Sequence, residues 1–346
     1  MKMSIKDEAD QQQQQMSSSP PIPWKVRLFL STFSFFVDLA SRPNLTINRT
    51  LLSLVDLKSS NNNNPSKNLG VFTSDVTVDS STNLWFRLFL PQDQNDQTTL
   101  LPVVIYFHGG GFICLAPNSQ PYHDLCTRLA KELKAVVISV NYRLAPEHKY
   151  PAQYQDALQV LTFLDKHSST VLPPNADLRK TFLAGDSAGA NIAHHLAVRL
   201  SKGHEFKNEI NVLGVMAIQA FFIGEELTES EKGMTNVPVV NMKGVDWACK
   251  AFLPEGADKD HPSLNVLKEL REVSKYPATI VVVGGFDPLK DRQKMYYQEL
   301  KRSGKEAYLV EYDNAFHTFY AFPEVPESWA MIGELSDFIK KQVAKV

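Results

Sequence analysis

Residues 185–189 read Gly185-Asp186-Ser187-Ala188-Gly189, a G-x-S-x-G sequence. An apolar run, Phe182 to Ala184, leads straight into it, and a helix-spaced segment, Ala190 to Leu200, leads straight out. Strand, sharp turn and helix are what a nucleophile elbow needs, because they expose the serine hydroxyl at the end of a strand, ready to attack an acyl carbon. The glycines leave room for a strained backbone, and the N-terminus of the following helix favours negative charge beside the serine. His108-Gly109-Gly110-Gly111-Phe112 ends another apolar run upstream. Main-chain N–H groups of Gly109, Gly110 and Gly111, joined by that of Ala188, could hold the oxyanion of a tetrahedral intermediate. A phosphate loop is the competing use of such glycines, but no Lys-Ser/Thr follows them and no G-x-G-x-x-G is present.

Acyl transfer by a serine needs a base and an acid to orient that base, in chain order serine, acid, histidine, each past the carboxyl end of a strand. Asp287 follows the run Ile280 to Val283, and Pro288 helps fix the turn that presents it. Asp291 is the rival acid, but it falls in the first turn of the next helix, where a carboxylate has a capping or dipole role. His317 follows the run Tyr308 to Glu311 and takes the part of the base. His194 and His195 are adjacent, lack an i, i+4 partner for a metal and read as structural. His123, His148, His167, His204 and His261 show no matching acid or cysteine pattern. Cys114, just past the glycines, reads as a small packing residue that could line the pocket.

The elements that must position these residues alternate along the chain. Strand-like runs cover Val71 to Val78, Leu84 to Leu90, Val103 to Phe107, Val136 to Val140, Phe182 to Ala184, Val212 to Ile218, Ile280 to Val283 and Tyr308 to Glu311. Helix-spaced segments, among them Tyr122 to Leu133, Tyr154 to Lys166, Ala190 to Leu200 and Asp291 to Ser303, lie between them. Continuous apolar strands alternating with helices imply an α/β fold: a mostly parallel central sheet flanked by helices on both faces. Two stretches break the alternation, about 24–56 and about 224–271, and are expected to pack together as a helical cap. The 346 residues fit one such domain over 24–346, preceded by a Gln/Ser-rich lead, residues 1–23, with nothing to pack. Asn61 to Asn64 with Pro65 reads as a mobile loop.

Composition excludes several functions. A net charge of -2 gives no general attraction to nucleic acid or anionic lipid. Three scattered cysteines suggest neither a disulfide framework nor a zinc site, and fit a reducing compartment. Residues 1–15 lack the order of a secretory signal, and the apolar stretch Val26 to Ala40 is too short and too interrupted to span a bilayer. The triplets at Asn44 and Asn48 therefore read as chance glycosylation matches, and a cytoplasmic place, with the nucleus possible, is expected.

Together, HGGGF, Asn141-Tyr142-Arg143-Leu144-Ala145-Pro146-Glu147-His148 with Tyr150-Pro151-Ala152, GDSAG, GGFDPLKD and FHTF resemble the plant carboxylesterases of the hormone-sensitive-lipase group, from about Trp24 onward. The resemblance implies an α/β-hydrolase fold and a Ser187-His317-Asp287 triad, with oxyanion donors among Gly109 to Gly111 and Ala188. It implies a lid from the two cap stretches and makes the Tyr142 to Ala152 stretch a support for the glycine loop and the elbow. The expected activity is hydrolysis of small apolar esters through an acyl-enzyme, with no cofactor or metal, by a monomer. Gibberellin receptors belong to the same group but have lost the histidine and carry a serine in the glycine loop; His317 and Gly111 depart from them on both counts. A hydroxyisoflavanone dehydratase-like lyase is a third member type, one that tends to have threonine where this chain has Ser187.

Overall fold

The computed structural model describes residues 20–60, 70–92, 99–203, 206, 210–234, 237 and 240–346. Eight strands form one sheet: β1 (Val71–Asp79), β2 (Leu84–Pro91), β3 (Leu101–Phe107), β4 (Val136–Asn141), β5 (Ala176–Asp186), β6 (Val212–Ile218), β7 (Ala278–Phe286) and β8 (Ala307–Phe316). Their order across the sheet is β1-β2-β4-β3-β5-β6-β7-β8. The β1/β2 and β2/β4 pairs are antiparallel and every other pair is parallel.

Helices α1 (Trp24–Ala40) and α2 (Arg49–Ser53) precede the sheet, and α3 (Gln120–Leu133), α4 (Ala152–Val171) and α5 (Ala188–Ser201) connect its central strands. Between β6 and β7 lie α6 (Glu229–Gly233), α7 (Met242–Phe252) and α8 (Leu267–Glu272); α9 (Lys290–Arg302) joins β7 to β8, and α10 (Pro326–Val343) follows.

Apolar runs in the central strands follow from burial on both faces. Val103, Ile105 and Phe107 of β3 pack with α4 and α5, whereas Val104 and Tyr106 point to the opposite face and pack with α3 and α10. The same alternation divides β7, with Ile280 and Val282 on the α10 side and Val281 and Val283 on the α9 side. Side chains alternate at period two, so a strand covered on both faces must be apolar throughout.

The strand runs read in the sequence all fall within strands. The expected lead meets one correction: Ile22 is 8% exposed and packs with Val26 and Leu30, so core packing starts before Pro23. Residues 1–19 and the Asn61 to Asn64 loop lie outside the described residues. Among the described residues no helix is long and apolar enough to cross a membrane. Cys114, Cys126 and Cys249 are buried free thiols.

Candidate active site

β5 delivers Asp186 and Ser187 to the end of the sheet, and α5 begins at Ala188. Between them Ser187 adopts φ 50 and ψ -117, a left-handed turn that lets the strand reverse into the helix. Such a conformation costs a non-glycine residue about 1–3 kcal/mol and persists only where its surroundings enforce it. Here they do, because Ser187 N–H donates to Ile218 O at 2.9 Å and Phe221 N–H donates to Ser187 O at 2.9 Å. Gly189 lies so close to β3 that a Cβ there would sit 1.9 Å from Phe107 O. Gly189→Ala must therefore push the helix off the strand, and its expected result is a protein that does not accumulate in soluble form; a normal melting curve would contradict this contact.

His317 lies directly after β8, and Asp287 directly after β7. His317 Nδ1–H donates to Asp287 Oδ2 at 2.8 Å, which leaves Nε2 as the lone-pair nitrogen, 3.1 Å from Ser187 Oγ. All three side chains are buried: Ser187 is 6% exposed, His317 2% and Asp287 0%. Asp291 is where a capping acid belongs, its Oδ2 accepting from Ser230 N–H at 2.8 Å, away from His317.

Two glutamines that the sequence reading did not pick out hold Asp287 and the His317 loop in place. Gln219 Nε2 donates to Asp287 Oδ2 at 3.1 Å and to Phe316 O at 3.3 Å, while its Oε1 accepts from Thr318 N–H at 2.9 Å. Gln293 Nε2 donates to the same Asp287 oxygen at 2.9 Å, and Leu289 N–H donates to Oδ1 at 2.9 Å. Neither glutamine belongs to a catalytic motif, so only the folded neighbourhood reveals them.

The glycine loop passes through left-handed conformations at Gly110 (φ 106) and Gly111 (φ 61). Here the expected oxyanion set needs a correction. Gly109 N–H is already engaged, donating to Tyr122 Oη at 2.8 Å and to Asp186 Oδ1 at 3.0 Å. Gly110, Gly111 and Ala188 keep N–H groups with no hydrogen bond among the described residues. Gly109 is thus an anchor of the loop, and the other three are the available donors.

Asp186 is the second half of that anchor. Fully buried, it accepts from Tyr106 Oη at 2.7 Å, Tyr122 Oη at 2.7 Å and Tyr320 Oη at 2.6 Å besides Gly109 N–H. Burial pushes its carboxyl above the ordinary range, and the tyrosine bonds oppose that shift. Tyr142 supports the same loop from the other side, its hydroxyl donating to His108 O at 2.6 Å while its ring stacks on the His108 ring at 4.3 Å. Burial holds the His108 imidazole down to about 3, so it stays neutral and donates from Nδ1 to Gly109 O at 2.8 Å. Arg49 closes the support by donating to Ile113 O and Ala145 O.

Above Ser187 lies a cavity of about 160 Å³. Phe29, Leu30, Phe33 and Val37 of α1 form one wall, and Val240, Val245 and Ala248 in and beside α7 form another. The two irregular stretches also touch directly, Trp247 Nε1–H donating to Arg42 O at 2.8 Å. Cys114 lines the cavity; burial pushes its thiol up to about 12, so it is no nucleophile at neutral pH. His194 and His195 lie away from this cavity on the far half of α5, beside Tyr276, Tyr296 and Glu269.

A strand-elbow-helix at the end of a central strand of an eight-stranded sheet, with a histidine and an acid delivered by the last two strands, has a counterpart among known families. Residues 104–321 match the family described as alpha/beta hydrolase fold, and 56–146 match the carboxylesterase family. The chain belongs to the α/β-hydrolase family. Gibberellin receptor GID1C of Arabidopsis thaliana is 36% identical over 343 residues, covering 94% of this chain and 97% of the receptor. Carboxylesterase 20 of the same plant is 30% identical over 292 residues, covering 82% and 88%. Among solved structures, an esterase of Pyrobaculum calidifontis superposes with a TM-score of 0.69 at 25% identity, covering 99% of both chains. A fungal esterase of Rhizomucor miehei gives 0.73 at 20% identity over 94% of this chain and 98% of the other, a likeness of fold alone. The homologues are thus plant carboxylesterases and gibberellin receptors, which bears out the hormone-sensitive-lipase-type resemblance.

Proposed function

We propose that this protein is a serine carboxylesterase acting on small, apolar esters. Ser187 Oγ attacks the ester carbonyl carbon while His317 Nε2 takes its proton, and Gly110, Gly111 and Ala188 N–H groups bind the resulting oxyanion. His317 returns the proton to the departing alcohol, leaving an acyl group on Ser187. Water then attacks that acyl group, His317 again carrying the proton, and the free acid leaves. Asp287 keeps the imidazole in the required tautomer and stabilises its charged form. No step calls for a metal or cofactor. The single observation that carries the reading is the unbroken hydrogen-bonded line Ser187-His317-Asp287 at the floor of an apolar cavity. In this reading α1, α2 and the β6–β7 insertion are a cap on one catalytic domain, and the protein works as a monomer in the cytoplasm or nucleus.

A hormone-binding role is the second reading, favoured by the identity to a gibberellin receptor across nearly the whole chain. Treating the protein with paraoxon and weighing it intact separates the two. One phosphoryl adduct per chain, absent from Ser187→Ala, is the expected result. An unlabelled wild type that retains a small organic acid through gel filtration would favour the receptor and sink the esterase.

A further inference from the structure

Away from the cavity, about two turns along α5 from Ser187, three potential metal ligands converge. One ligand atom each from His194, His195 and Glu269 lies within 4.8 Å of the others. The hydrogen bonds around the two rings leave them poised in a particular way. His195 Nε2 faces Ser263 O at 3.2 Å, so that nitrogen carries the hydrogen. In a neutral ring Nδ1 is then a lone pair, yet it faces Glu269 Oε2 at 3.3 Å, acceptor against acceptor. Something positive belongs between them, either a proton on His195 or a cation.

His194 decides for the cation. Its Nδ1 is tied to Tyr276 Oη at 2.8 Å and Tyr296 Oη at 3.1 Å, and its Nε2 is fully buried with no partner among the described residues. A proton on His195 would do nothing for this orphaned nitrogen, whereas a metal satisfies it together with the other two ligands. The outer bonds also follow the pattern of metal-bound histidines, whose second ring nitrogen is held by an oxygen that fixes tautomer and orientation. Lys202 occupies only the other carboxylate oxygen, at 2.9 Å, so Oε2 stays available.

We propose that His194 Nε2, His195 Nδ1 and Glu269 Oε2 bind a divalent cation of the zinc class, with water completing the shell. Two imidazoles and one carboxylate suit zinc, cobalt, nickel or copper rather than calcium or magnesium. Ligands about 2.0–2.1 Å from a tetrahedral ion stand about 3.4 Å apart, so from the 4.8 Å spread the widest pair closes by roughly 1.4 Å when the ion binds. The ion would clamp α5, which starts at the nucleophile, to α8 of the insertion. The site is independent of whether Ser187 hydrolyses esters.

The test uses the full chain, stripped with a chelator and titrated with zinc chloride by calorimetry, with cobalt chloride followed by visible absorption. Wild type is expected to take up one zinc per chain, gain melting temperature and develop a cobalt ligand-field band. Glu269→Gln and His195→Gln, both at partly exposed positions, are expected to stay folded and bind at least tenfold more weakly. Failure of wild type to take up zinc, or equal uptake by the two variants, overturns the site. Paraoxon labelling of Glu269→Gln is expected to match wild type, which keeps failure here apart from failure of the esterase reading.

Discussion

His317→Ala is expected to lower kcat on p-nitrophenyl butyrate by about 10⁶-fold, and Asp287→Asn by about 10⁴-fold, with KM little changed. The histidine makes the larger difference because without it the serine proton has no acceptor at 3.1 Å. The asparagine keeps the ring in place but reverses its tautomer: an amide N–H toward Nδ1 moves the hydrogen to Nε2, where Ser187 needs a lone pair. Gln219 and Gln293 would then be donors meeting a donor on the Oδ2 side, unless the amide turns over. Stopped-flow acylation rates give the cleanest check, since they isolate the first proton transfer. Acylation within tenfold of wild type in His317→Ala would remove this histidine from the mechanism.

Asp186→Ala is expected to destabilise the fold by about 3–5 kcal/mol, read as a lower urea midpoint with an unchanged slope. The reason is arithmetic on buried donors: three tyrosine hydroxyls and the Gly109 N–H all converge on its two carboxylate oxygens. Removing the acceptor strands the three hydroxyls away from water, while Gly109 N–H keeps Tyr122 Oη, and each stranded donor costs about 1–3 kcal/mol, less whatever the site recovers by collapsing or admitting water. Asp186→Asn should lose less, because the amide oxygen still accepts. A loss below about 1 kcal/mol for the alanine variant would mean that water replaces the carboxylate readily. The same change removes one of the two bonds on Gly109 N–H and loosens the Tyr122 hydroxyl that accepts the other, so labelling of Ser187 should slow even in molecules that remain folded.

Much of this was legible in the residues. The central strands are buried on both faces, so their apolar runs stand out against the helices, and serine, acid and histidine each follow such a run in the order the fold dictates. Legibility fell where tertiary partners do the explaining. β5 begins at Ala176, earlier than its apolar run, because Asp177 and Arg179 satisfy each other in the first part of the strand and hide its pattern. β8 reaches Phe316 although Tyr312 to Asn314 read as polar, since a strand at the sheet edge exposes one side. α10 escaped the reading altogether, yet its Met331, Leu335, Phe338 and Ile339 cover the sheet. The glycine loop shows the limit best. Three consecutive glycines look equivalent in a sequence, and only the position of Asp186 and Tyr122 removes one of them from the donor set.

The wall that α1 gives to the cavity joins the two ends of the chain: Phe29 packs edge-on against Phe322 at 5.8 Å, next to the loop that carries His317. Contacts between residues so far apart in sequence form late, because closing the intervening chain costs entropy before any packing is gained. All eight strands lie between Phe29 and Phe322 in chain order. A folding chain can therefore hold the turn at Ser187 before His317 and the α1 wall are in place beside it. Phe33 and Val37 can pack earlier, in the cluster that holds Ala40, Ile47 and Leu52, so it is the Phe29 side of α1 that waits for Phe322.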